Sequence, residues 1–321
     1  MKSESVVVLG AGGFIGRRII SALLATDWAR PIAAGRSIRS ADLPPQVERI
    51  RLDATDLSDL TRAAASASAL VSCIAGAPDQ ITGSGNALFA AAASVSPSPR
   101  VVYLSSMAAY GSATGSIDET APLRGDGGAY SHAKAAIDVL AAGHPFAVRL
   151  RPGIVYGPRS EWWSDKIARL LVQGRLGDLG RDGEGICNLV HVDDVAAAVL
   201  QAVRLPAAAG NAFNLANPAP PSWNSYFELY ARALGVQPAR ISKARLFTEL
   251  RLYGPALKVT DKVLGRNNPW QAYEALRPWL MQLVRHEIRL ESGKARDVLG
   301  VRFRPLAEGL DETARWFLRS E

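Results

Sequence analysis

Val6-Val7-Val8-Leu9-Gly10-Ala11-Gly12-Gly13-Phe14-Ile15-Gly16 decides how the rest of the chain is read. An apolar, β-branched run stops at glycines and gives way to Arg17-Arg18-Ile19-Ile20, with Leu23 and Leu24 at helical spacing. The pattern predicts a strand, a tight turn and a helix. The first N–H groups of a helix lack partners and carry partial positive charge, so such a turn suits a phosphate. Glycines there let the backbone take φ > 0 and approach a pyrophosphate closely. The spacing is G-x-x-G-x-x-G through Gly10, Gly13 and Gly16; G-x-G-x-x-G fails because position 15 is Ile15. The strand before and the helix after are the context that gives such a motif its meaning.

The 321 residues, 48% hydrophobic and 21% charged, have an ordinary globular balance and suffice for a sizeable core. Net charge is +7. Arginine and lysine are dispersed rather than blocked, which argues against a nucleic-acid partner and for an anionic small molecule. Cys73 and Cys187 have no CxxC or histidine partner nearby, so neither a disulfide nor a metal site is expected. No signal-peptide pattern precedes the first strand and no apolar run is long enough to span a bilayer, so the expected setting is cytoplasmic.

Outward from the glycine turn, strand signals alternate with helix signals. Pro31–Ala34 is a second strand, ending at Gly35-Arg36-Ser37; Glu48–Leu52 is a third, followed by Asp53-Ala54; Asp56 caps the next helix. Ala69–Ala75 is a fourth strand, stopping at Gly76. Residues 84–94 form a small-residue helix, and Arg100–Leu104 is a fifth strand with Ser105-Ser106 at its end. The fold class predicted is α/β: a Rossmann-like, doubly wound parallel sheet with a smaller C-terminal lobe. Ligands of such sheets sit at the carboxyl ends of strands, where Gly10, Arg36, Asp53, Gly76 and Ser106 all fall. An acid after the second strand would bind a ribose 2′-hydroxyl, whereas an arginine accommodates a 2′-phosphate. Arg36, with Arg39 following, therefore favours NADP(H), with NAD(H) as the alternative.

Tyr130 and Lys134 stand at i and i+4 on one face of a helix running to about Ala142. A phenol titrates near 10, too high for efficient acid–base work at neutral pH, and a nearby ammonium lowers it. With a serine hydroxyl, the trio Ser106, Tyr130 and Lys134 makes a sensible proton-transfer site.

Seven segments in order, Gly10–Gly16, Leu104-Ser-Ser-Met-Ala-Ala-Tyr-Gly111, Tyr130-Ser-His-Ala-Lys134, Arg151-Pro-Gly-Ile-Val-Tyr-Gly-Pro158, His191-Val-Asp-Asp-Val195, Phe213-Asn-Leu215 and Lys294–Gly300, resemble the extended short-chain dehydrogenase/reductase superfamily, specifically its NAD-dependent epimerase/dehydratase family. The resemblance covers nearly the whole chain. It implies that Ser106 is the catalytic Ser/Thr, Tyr130 the acid–base, and Lys134 the group that binds the nicotinamide ribose and lowers the tyrosine pKa. It further implies cofactor contacts at Phe14, Ile15, Asp53, Ala54, Ala75 and Gly76, with Pro152, Ile154 and Val155 passing beside the nicotinamide. Related folds often pair two copies through helices beside the active-site tyrosine, so the resemblance admits a homodimer, and the residues themselves leave the oligomeric state open.

Two positions depart from the family's pattern. Members acting on nucleotide sugars usually carry Asn where this chain has Ile154, and cofactor-retaining epimerases usually resemble the NAD pattern, which lacks Arg36. Both departures favour an NADP(H)-dependent oxidoreductase of a secondary alcohol or ketone over a nucleotide-sugar epimerase/dehydratase or a non-catalytic dinucleotide-binding protein.

The expected division places residues 1–155 in the dinucleotide-binding domain, with 186–216 returning to it, and 156–185 and 217–321 in the substrate lobe. His191 and Asp193 read as structural residues opening a helix. Trp162 and Trp163 are candidates for the wall of an apolar pocket or for core, and Trp316 for core. The basic amphipathic stretch 244–265 reads as a lobe helix with a solvated face, weak membrane contact being the alternative. The extra length of the lobe suggests a bulky or apolar small-molecule substrate.

Overall fold

Each strand signal ends in a glycine, an acid or a serine, and helices alternate with those strands except between the second and third, where none is found among the described residues. The computed structural model describes residues 3–37, 43–249, 251 and 278–320 and shows what that alternation builds. In order come β1 (Glu4–Leu9), α1 (Phe14–Leu24), β2 (Ala29–Gly35), β3 (Glu48–Arg51), α2 (Leu57–Ser66), β4 (Ala69–Ser72), α3 (Pro78–Ser94) and β5 (Arg100–Leu104). Then follow β6 (Gly115–Ile117), α4 (Ala129–Ala142), β7 (Ala147–Pro152), β8 (Ile154–Tyr156), α5 (Lys166–Val172), β9 (Gly177–Asp178), β10 (Leu189–His191), α6 (Val192–Arg204), β11 (Ala212–Leu215) and α7 (Trp223–Ala233).

The chain divides into two compact units. The first, Met1–Gly153 with Val190–Pro218 and Leu290–Phe303, holds a seven-stranded sheet in the order β11-β7-β5-β4-β1-β2-β3. Every pairing in that sheet is parallel. The helices α2, α3 and α4 pack in series, and α1 packs on α6. Val6, Val7, Val8, Val101 and Val102 are buried, as the inner strands of a sheet covered on both faces require. Leu60, Leu88, Phe89 and Ile137 bring the helices onto it. Truncating one such leucine to alanine costs about 2–5 kcal/mol.

The strand order reverses at β1, whose neighbours are β2 and β4, so the switch point of the sheet lies where the glycine turn leaves β1. The fourth strand ends at Ser72 rather than Ala75, and α3 begins at Pro78 rather than 84. Proline at the start of α3 suits the helix, since its missing N–H is not needed there. Residues 290–303 join the first unit, not the lobe expected of them. The Ser292 hydroxyl donates to the Ala216 carbonyl at 2.8 Å and accepts from the Ala216 N–H at 3.0 Å.

The second unit is Ile154–Leu189, Ala219–Arg289 and Arg304–Glu321. Its centre is aromatic: Trp223, Tyr226, Phe227 and Tyr230 of α7 are all buried. Trp163 packs on Trp223 at 6.0 Å, and the Tyr226 hydroxyl donates to the Trp163 carbonyl at 2.5 Å. Trp163 thus belongs to the aromatic cluster, whereas Trp162 is 42% exposed, with the Lys166 ammonium 3.5 Å above its ring. Trp316 is half-buried beside Leu310, Ala314 and Phe317. Most of the basic stretch 244–265 lies outside the described residues. Among the described residues no helix is long and apolar enough to cross a membrane.

Candidate active site

The glycine turn is shaped by close approach. Gly10 has φ +77°, and a Cβ there would lie 3.3 Å from the Cys73 carbonyl group. A Cβ at Gly16 would lie 2.3 Å from the Gly10 carbonyl oxygen and 2.8 Å from the Ala11 Cα, so only glycine fits. The N-cap of α1 is Gly13, with no side-chain cap, which leaves the first N–H groups of the helix for a ligand. Phe14 and Ile15 are half-buried at its start. Arg17 reaches back to donate from Nε to the Gly12 carbonyl at 2.6 Å, setting a guanidinium over the same turn. This contact was not anticipated, although a cation one residue past the last glycine was visible.

At the end of β2, Arg36 is exposed, and it lies close enough to Asp53 to help hold that carboxyl below its ordinary range. The larger cause is Thr55, whose N–H and hydroxyl both donate to Asp53 at 3.0 and 2.8 Å. The Asp53 and Ala54 expected at the adenine thus sit on the same side as Arg36. Arg39 lies outside the described residues. After β4, Ala75 and Gly76 are exposed, and Gly76 has φ +128°.

Ser106 begins the turn Met107–Tyr110 after β5, and its hydroxyl accepts from the Ala108 N–H at 3.1 Å. The neighbouring Ser105 is buried with no hydrogen-bond partner for its hydroxyl. Of the two serines it is Ser106 whose hydroxyl acts on the Tyr130 phenol, lowering its pKa. The start of α4 is stitched to the same turn: the Ser131 hydroxyl donates to the Ala108 carbonyl at 2.6 Å and accepts from the Gly127 N–H at 3.2 Å.

Lys134 is buried one turn along α4. Its Nζ donates to the carbonyl oxygens of Leu104 at 2.7 Å and Ile74 at 3.3 Å, and stands 5.1 Å from the centre of the Tyr103 ring. Burial pushes its pKa down to about 8, against smaller upward pulls from Cys73 and Asp138. Tyr130, still 40% exposed, has its phenol raised above 10 by partial burial, with the Ser106 hydrogen bond acting in the opposite direction. The Lys134 ammonium is drawn down onto the Leu104 and Ile74 carbonyls, and burial, not Lys134, sets the direction of the Tyr130 shift.

Pro152 is buried at the end of β7. Ile154 and Val155 are buried in β8, which belongs to the second unit, so they are not among the residues gathered within the first. His191 and Asp193 have structural work: the His191 ring accepts from the Asp193 N–H at 3.3 Å at the start of α6, and Asp193 pairs with Arg18 of α1 at 2.6 Å. Both cysteines are free thiols.

The first unit thus brings together an uncapped helix N-terminus over a glycine cradle, an arginine past β2 and a serine–tyrosine pair with a buried lysine. A curated relative, Protein YeeZ of Escherichia coli strain K12, is 29% identical over 146 residues, 44% of this chain and 48% of that protein. The alignment therefore spans about half of the relative. The Bordetella bronchiseptica enzyme WbmH, solved with NAD+, superposes with a TM-score of 0.73 at 16% identity, covering 98% of each chain. The human epimerase family protein SDR39U1, solved with NADPH, gives 0.70 at 18% identity, covering 97% of this chain and 99% of that one. The family model described as NAD dependent epimerase/dehydratase family matches residues 6–216, and on that match the chain belongs to this family.

Proposed function

We propose that this protein is an NADP(H)-dependent oxidoreductase interconverting a secondary alcohol and a ketone on a bulky or apolar small molecule. The observation that carries the reading is the grouping of Ser106, Tyr130 and Lys134 in the same unit as the glycine cradle. The cradle fits a dinucleotide: the lack of a side chain at Gly16 lets α1 close onto the Gly10–Ala11 backbone, and the uncapped N-terminus of α1 offers N–H groups to a pyrophosphate. Bound there, the nicotinamide would supply or accept the hydride. Tyr130 gives or takes the proton at its phenol oxygen, and Ser106 orients the substrate oxygen by its hydroxyl. Lys134, held by two carbonyls, offers its remaining donor to the cofactor ribose. Arg36 is the candidate clamp for a 2′-phosphate, with the second unit as the candidate carrier of substrate specificity.

A nucleotide-sugar epimerase or dehydratase that retains NAD is the second reading. It is favoured by Asp53, whose carboxylate lies near Arg36 and offsets part of its charge. One experiment separates the two. The purified protein is denatured and its supernatant assayed for nucleotide, and the empty protein is then titrated with NADPH and NADH by fluorescence. Reversible binding that favours NADPH supports the reductase; stoichiometric NAD in the supernatant, or a preference for NADH, supports the epimerase.

A further inference from the structure

Arg151 stands on β7 with its guanidinium buried and all three nitrogens engaged. Nε and Nη2 donate to the two carboxylate oxygens of Asp138 at 2.9 and 2.8 Å, fork to fork. Nη1 donates to the Tyr110 hydroxyl at 2.8 Å and to the Glu119 carbonyl at 3.2 Å. Tyr110 donates in turn to Asn214 Oδ1 at 2.7 Å, with the Asp118 carbonyl 3.2 Å away. Asn214, on β11, closes the network by donating from Nδ2 to the Ile117 carbonyl at 3.1 Å and from its N–H to Glu119 Oε1 at 2.7 Å. Every one of these residues lies in the first unit.

A buried ion pair is weak evidence for stability, because desolvation offsets most of the attraction and apolar packing serves as well. What distinguishes this pair is its placement. Asp138 is the third residue of the series Tyr130, Lys134, Asp138 on one face of α4, each step about 6 Å along the axis. Tyr110 ends the turn that Ser106 begins. One guanidinium therefore grips the helix that bears Tyr130 and Lys134 and, through another nitrogen, the turn that bears Ser106.

We propose that Arg151 is a positioning residue: through Asp138 and Tyr110 it sets the Ser106 hydroxyl against Tyr130 and keeps Lys134 seated on the Leu104 carbonyl. The planar fork fixes angle as well as distance, which a point charge or an apolar contact does not. Reacting groups must be held to within about 0.5 Å, so that restraint matters here. The inference rests on the reading of Ser106, Tyr130 and Lys134 as the reacting set.

The test needs no substrate. The groups facing Lys134 are Cys73 beyond β4, Tyr103 of β5 and, on its own helix, Asp138. Arg151→Lys and Tyr110→Phe leave all three in place. Lys134 is followed by NMR in protein carrying isotopically labelled lysine, its signal assigned by its loss in Lys134→Arg. The expected result is that the Lys134 midpoint climbs from near 8 toward the ordinary lysine value, by about one pH unit or more in Arg151→Lys and by less in Tyr110→Phe. Folded variants that both keep the wild-type midpoint overturn the proposal, because a merely structural role lowers the melting temperature and leaves Lys134 unmoved. If Arg151→Lys does not fold, Tyr110→Phe decides alone, a climb supporting the proposal and an unchanged midpoint overturning it. The proposed activity fails separately, if Tyr130→Phe keeps its turnover.

Discussion

The Lys134 ammonium lies 2.7 Å from the Leu104 carbonyl oxygen, at the end of the strand that leads into Ser106. Its pKa of about 8 lies below that of an unfolded lysine, so the folded state releases this proton first as pH rises. Between pH 8 and 10.5 the unfolded state binds more protons, and stability from this group therefore increases with pH. Denaturant unfolding at pH 8, 9 and 10 should show wild type gaining on Lys134→Met by up to about 3 kcal/mol across that window. A constant difference between the two proteins would contradict the depressed pKa.

Tyr130→Phe removes only the hydroxyl proposed as the acid–base. Turnover on a ketone or alcohol substrate should fall by about 10²–10⁴-fold, the ordinary scale for a lost acid–base group, while the dinucleotide dissociation constant stays within about twofold. Steady-state kinetics beside a fluorescence titration checks both halves.

The two glycines of the turn should behave oppositely. Gly16→Ala drives a Cβ to 2.3 Å from the Gly10 carbonyl oxygen, whereas Gly12→Ala meets nothing within 4 Å. The first should cost about 1–3 kcal/mol of overpacking and weaken dinucleotide binding at least tenfold. The second should leave the melting temperature close to wild type. Thermal unfolding and cofactor titration of the pair provide the comparison.

Arg36→Ala tests the cofactor assignment directly. Losing a charge-assisted contact to a 2′-phosphate is worth roughly 1.5–3 kcal/mol, or about 10–100-fold in NADPH affinity, with NADH affinity unchanged. Equal losses for both cofactors would mean that Arg36 does not read the 2′ position.

The sheet was legible because its signals are local. Val6–Leu9 into Gly10 and Arg100–Leu104 into Ser105 are apolar runs cut by turn residues, and the structure keeps them as β1 and β5. Boundaries were less legible: Cys73, Ile74 and Ala75 are apolar enough to extend β4, yet the chain leaves the sheet at Ser72 to pass the glycine turn. Ser106 was picked out from Ser105 by resemblance; the structure puts the Ser106 hydroxyl at the start of the Met107–Tyr110 turn and buries Ser105. Tyr110, Arg151 and Asn214 each fall in a segment that carries the resemblance, but their joining into one network was not legible, because Tyr110 and Asn214 are 104 residues apart. Asp138 is the next step of the helical series after Lys134. The upward shift of Tyr130 comes from burial, which spacing alone does not specify.

An open parallel sheet must also end somewhere. Among the described residues the sheet stops at β3, a four-residue strand reading Glu48-Arg49-Ile50-Arg51, with β2 as its one neighbour there. Its two ends are exposed, and Glu48 pairs back onto Arg30 of β2 at 2.7 Å. A foreign strand docking there would have to strip water from three charged side chains to gain only a few backbone hydrogen bonds. The margin of the cofactor-binding sheet is thereby made unattractive to other chains, a safeguard against edge-to-edge aggregation written into four residues.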